Sequence, residues 1–161
     1  MKIRIFLAVL FSAILFSCSS DDRESGTNSI AGTWDLVALE LDGTTPEEEA
    51  AEQLVSLLAL QGCYLITLEF QENGTALFQS SLGYLDYNDL LIGGLSIDCP
   101  AESDTESATY SYENGQLSIT DSTGMTETIG VILSGDRLTF DVEGSEFDDV
   151  GSSGSLIFER R

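Results

Sequence analysis

The chain has 161 residues, with 28 Asp or Glu against 6 Lys or Arg, a formal net charge of −22 and no histidine. A surface this acidic repels phosphate backbones and anionic headgroups, which argues against nucleic-acid binding. Without histidine there is no Ser-His-Asp or Cys-His catalysis and no His-ligated zinc or iron.

The first 18 residues read as a targeting segment. Lys2 and Arg4 form a short basic region, and residues 5–16 are apolar, a run of about a dozen that is too short to cross a bilayer as a helix. The run ends in Leu15, Phe16, Ser17 and Cys18. This pattern resembles a bacterial lipoprotein signal, although Phe16 stands where a small or β-branched residue is usual. The resemblance implies loss of residues 1–17 and lipidation of Cys18 as the new N-terminus. More than one acyl chain would then anchor the chain stably in a membrane. Residues 18–29 follow as an acidic tether. Cys-Ser-Ser-Asp-Asp resembles the export signal of surface lipoproteins in Bacteroidetes-type bacteria; a plain solvated linker is the alternative. The expected location is the outer membrane, facing the periplasm or the cell surface. The single lysine, Lys2, leaves with the leader, so Schiff-base chemistry leaves too.

What remains is about 140 residues, one domain. In an oxidising compartment the two remaining cysteines, Cys63 and Cys99, read as a disulfide worth on the order of 3 to 4 kcal/mol.

From Ile30 onward, short runs of strand character recur between turn signals. Residues 31–41 are the first, broken at "DGTT". A helix follows: Thr45 as N-cap, Pro46 in the first turn and Glu48 completing a capping box. Leu54, Val55, Leu57 and Leu58 form its apolar stripe, and Gly62 ends it in a left-handed conformation. Residues 64–70 alternate, with Tyr64, Ile66, Leu68 and Phe70 on one face. Asn73-Gly74 turns the chain into residues 75–79, where Ala76 and Phe78 share a face. After a long loop, Ala108, Tyr110 and Tyr112 are in phase, Asn114-Gly115 turns, and Leu117 and Ile119 return. Residues 125–133 carry Ile129, Val131 and Leu133 in phase; residues 137–142 carry Leu138, Phe140 and Val142. The last strand has Leu156, Phe158 and Arg160 on one face, so Arg161 points away.

Eight sequence-adjacent strands with one apolar face each suit an antiparallel up-and-down barrel, all-β apart from the one helix between strands 1 and 2. A two-sheet sandwich is the competing arrangement. Gly32-Thr33-Trp34 at the start of the first strand and "SLIFERR" at the end resemble the lipocalin and fatty-acid-binding superfamily. So does the order of a cysteine before strand two, "LEFQENGTALF", a second cysteine and "LSITD", which is similar to a lipocalin-like domain of Bacteroidetes lipoproteins over residues 30–161. The resemblance implies that Gly32, Trp34 and Arg160 close the barrel floor, with the guanidinium stacked on the indole.

Two functional readings remain open. In the first, the barrel holds a small, largely apolar ligand against Tyr64, Ile66, Phe78, Tyr110 and Phe140. Ala38, Ala76, Ala108 and Gly130 would leave space for it. In the second, the interior is filled, and Tyr84 and Tyr87 on the long loop meet a glycan or protein partner. The apolar segment 80–100 reads either as a lid or as a cap on the open end. The acidic clusters at residues 86–89 and 146–154 lack EF-hand spacing, and no carboxylate pair stands out for hydrolysis. The sequence therefore assigns no catalytic residue, no cofactor and no metal, and leaves the oligomeric state open.

Overall fold

The computed structural model describes residues 29–43, 45–85, 98–142 and 153–161. The leader, Cys18 and nearly all of the tether lie outside these, as do Tyr87, the 86–89 cluster and most of the 146–154 cluster.

Among the described residues the strands are β1 (Gly32–Leu41), β2 (Ile66–Phe70), β3 (Thr75–Ser80), β4 (Asp104–Glu113), β5 (Gln116–Thr120), β6 (Thr126–Ser134), β7 (Arg137–Val142) and β8 (Gly154–Arg160). Each pairs antiparallel with its sequence neighbour, and β8 returns to β1, so the sheet closes into a barrel, not a sandwich. Closure leaves no edge strand with unpaired backbone groups. The hairpins follow from their turn residues. Asn114 and Gly115 both have positive φ, 53° and 78°, the conformation that a two-residue loop matched to strand twist requires. At the β2–β3 turn the Asn73 side chain accepts from the Thr75 amide at 2.9 Å.

The helix α1 (Pro46–Leu60) sits between β1 and β2. Thr45 and Glu48 form a reciprocal capping box: the Glu48 amide donates to Thr45 Oγ1 at 3.3 Å, and the Thr45 amide donates to Glu48 Oε2 at 2.9 Å. At the other end Cys63 N donates to the Leu58 carbonyl and Gly62 N to that of Ala59, both at 2.9 Å, with Gly62 at φ 76°. Those paired bonds satisfy the last carbonyls of the helix. The buried stripe runs through Glu48, Val55 and Leu58, while Leu57 is largely exposed. Of the apolar stripe expected from the sequence, Leu54, Val55 and Leu58 face the core, and Leu57 is not part of it.

Residues directly opposite in an antiparallel pair point to the same side of a sheet. Following the register from Trp34 to Leu68, Phe78, Glu106 and onward to Phe158 and Arg160 defines the inward face. In β1 the pairing with β8 shifts between Leu36 and Ala38. This bulge switches the phase, so Leu36 and Leu39 point in while Ala38 faces out. Gly130 also faces out, between inward Ile129 and Val131. Neither leaves space inside. Ala76 and Ala108 do lie on the inward face, opposite each other.

Candidate functional site

One end of the barrel is shut by the segment before β1. Trp34 is fully buried and donates its Nε1–H to the Ile30 carbonyl at 2.8 Å. Arg160 lies with its Cζ 4.1 Å from the centre of the indole. Its Nη1 and Nη2 donate to the carbonyls of Ala31 and Ser29 at 2.6 and 2.8 Å. Its Nε is 3.2 Å from Oδ1 of exposed Asp136, close enough for attraction but without hydrogen-bond alignment. Gly32 is required here twice over. Its φ is 137°, and a Cβ would lie 2.5 Å from Arg160 Nη1. The floor is thus a three-layer plug of backbone, guanidinium and indole.

Above the plug the interior is packed. Phe70, Ala76, Leu117, Leu138 and Phe158 are essentially inaccessible, and Phe140 meets Phe158 edge-on at 5.3 Å between ring centres. Toward the opposite end the same inward face changes character. Leu39, Ile66, Phe78, Ile119, Ile129 and Leu156 are only partly buried. Beyond them inward-facing Glu106 and Glu127 are exposed. The inward face therefore runs from a largely packed interior, in which Tyr110, Tyr112 and Leu133 are also only partly buried, to a partly buried apolar collar and, beyond it, two exposed carboxylates. This end is the barrel's mouth, and it is the candidate binding site.

The sequence-proposed residues distribute unevenly over it. Ile66 and Phe78 belong to the collar. Phe140 is buried deeper, in the packed layer against Phe158. Tyr110 faces inward, but its hydroxyl donates to the Gln71 carbonyl at 2.9 Å and its ring packs on Phe70 at 4.9 Å. Burial, with the Glu72 charge nearby, raises its pKa above the ordinary 10.0. Its hydroxyl thus serves the β2–β3 turn. Tyr64 is not on the inward face. β2 starts two residues later, Leu65 is buried in the core, and Tyr64 lies beneath the Arg161 guanidinium at 6.0 Å. The alternation read across residues 64–70 breaks at that bend.

Tyr84 sits in a single 3₁₀ turn, Leu82–Tyr84, and donates its hydroxyl to Asp104 at 2.9 Å, which raises its pKa. Cys63 and Cys99 form the disulfide, tying the end of α1 to the approach to β4. Two features escaped the sequence reading. Asp35 faces out from β1 yet is buried, holding Arg161 and Thr67. Glu106 and Glu127 were legible, since each is in phase with apolar residues already placed on the inward face.

Compared with known proteins, residues 30–140 match the family model of a lipocalin-like domain. That span runs from the floor segment through most of β7. No curated protein and no solved structure matches the chain.

Proposed function

The chain belongs to the lipocalin-like domain family, and from that premise we propose that it carries a small, largely apolar molecule in its barrel mouth and catalyses no reaction. The same reading makes it an outer-membrane lipoprotein held by acyl chains on Cys18, with residues 18–29 as tether. The observation that carries the binding proposal is the contrast along one face. Inward Phe70, Leu117, Leu138 and Phe158 are dry, whereas equally apolar Leu39, Ile66, Phe78, Ile119 and Leu156 toward the mouth are only partly buried. Covering a partly exposed apolar wall with a ligand gains about 25 cal/mol per Å² removed from water. A sealed floor keeps that ligand from passing through.

The test is native mass spectrometry of the protein taken from its own membrane and released at the tether. The expected result is a discrete excess mass that organic extraction removes. A bare polypeptide mass, after allowing for the disulfide, would sink the carrier reading. Mass analysis of the N-terminal peptide tests the anchor separately: an unmodified Cys18, or cleavage elsewhere, would remove it.

A further inference from the structure

Resting on the carrier reading above, we propose that the cargo's polar end is a cation, an amine on an apolar body, and not a carboxylate or phosphate. The first argument is an inventory of positive charge. Between residues 29 and 161 the sequence holds three arginines, Arg137, Arg160 and Arg161, and neither lysine nor histidine. The connections 86–97 and 143–152 contribute none. Arg160 is committed to the floor, where it binds two carbonyls and covers Trp34. Arg161 is outside, on Asp35. Arg137 precedes inward Leu138 in β7, so it faces out, opposite Glu159. An anionic head group at the mouth would find no counter-charge and would sit beside like charges, which is unfavourable.

The second argument is the placement of the inward carboxylates. Glu106 stands directly across from Phe78, and Glu127 directly across from Ile119. Such cross-strand partners have Cβ atoms about 5 Å apart. An apolar body lying on Phe78 or Ile119 would therefore bring an amine within reach of the neighbouring carboxylate. Neither glutamate has an ion-pair partner among the described residues. The collar would supply affinity, and the carboxylates would select the sign of the head group.

The experiment uses the full lipidated chain in nanodiscs of zwitterionic lipid, with empty nanodiscs subtracted. The probes are phenylbutylamine, phenylbutanol and phenylbutanoate, which share one apolar body, and binding is read by ligand-observed NMR titration. The amine is expected to bind about tenfold tighter than the carboxylate, as one charge contact near a surface provides. The double variant Glu106→Gln, Glu127→Gln should erase most of that ratio and leave the alcohol unchanged. The control Glu40→Gln, Glu113→Gln alters net charge equally on the outward face and should leave the ratio intact. Equal or tighter binding of the carboxylate, or a ratio that the control lowers as much, overturns the proposal while the carrier reading stands. No binding of any probe above empty discs overturns both.

Discussion

Arg161 grips Asp35 with two parallel contacts, Nε to Oδ2 at 2.8 Å and Nη2 to Oδ1 at 2.6 Å, at the seam where the last strand meets the first. The pair is lopsided. The arginine side chain is 59% exposed and the aspartate 6%, and Thr67 donates a third hydrogen bond to the carboxylate at 2.7 Å. A bidentate guanidinium on a carboxylate is among the stronger polar contacts available, and the seam it joins is the one that closes the barrel.

Removing Arg161 leaves a buried carboxylate with Thr67 as its remaining side-chain donor. Arg161→Met should cost about 2 kcal/mol, reduced from the usual figure for a buried pair because the arginine is so exposed. Adding Asp35→Asn to that variant should recover part of the loss, since the stranded charge is then gone. Urea unfolding of the four members of the cycle reads this directly. A double variant less stable than Arg161→Met alone would show that the charge was not what made the loss.

The floor makes a second prediction. Arg160→Met removes two charge-assisted hydrogen bonds and the indole contact, and should cost about 3 kcal/mol. Arg160→Lys should lie between, because an ammonium lacks the planar fork that reaches both carbonyls. Gly32→Ala should cost about 2 kcal/mol through strain at positive φ and the clash with Nη1. If Arg160→Lys matches wild type in urea, the fork geometry is irrelevant.

Tyr110 gives a pH dependence whose sign follows from its raised pKa. The unfolded chain would ionise this phenol near its ordinary 10.0, whereas burial keeps it neutral in the fold to higher pH. Its contribution is therefore complete below pH 10.0 and is lost as pH rises from there through the folded pKa. Tyr110→Phe should lose about 1 kcal/mol at neutral pH, from the bond to Gln71, and should flatten the alkaline fall. Stability profiles of both proteins between neutral pH and alkaline unfolding test it; parallel curves would contradict it.

Reducing Cys63–Cys99, which spans a sequence separation of 36, should lower stability by about 3 to 4 kcal/mol through the entropy of the freed chain. The strand register does not depend on this crosslink, so far-ultraviolet circular dichroism below the transition should persist. Loss of the β signal on reduction alone would mean that the disulfide holds the barrel itself.

Within the carrier reading, Phe78→Asp puts a charge into the collar, at the edge of the packed layer where Phe78 meets Phe70 edge-on at 6.4 Å, while leaving the Trp34–Arg160 plug untouched. Ligand retention measured by native mass spectrometry should fall by more than tenfold with an unchanged β spectrum. Retention equal to wild type would move the site away from the mouth.

Most of the barrel was readable because strand alternation and hairpin turns are local. Phe78 facing with Ala76, the turns at Asn73-Gly74 and Asn114-Gly115, and the capping box from Thr45 to Glu48 each need only a few neighbouring residues. Glu106 and Glu127 were not singled out, although the same rule, their phase with Ala108 and Ile129, places them inward. The bend at Leu65, which takes Tyr64 out of the site, and the bulge after Leu36, which turns Ala38 outward, left no mark in the alternation. Each shifts the phase by one residue, and only the pairing partner reveals which side is in. The burial of Asp35 was further beyond reach, because its guanidinium arrives from 126 residues away. By itself the sequence determined the strands and, away from the bend at Leu65 and the bulge after Leu36, the residue types on each face, which depend on backbone sterics and side-chain spacing. The tertiary structure alone decided where the inward face is dry and where it is wet, since solvent exposure depends on how all eight strands and the helix close around it.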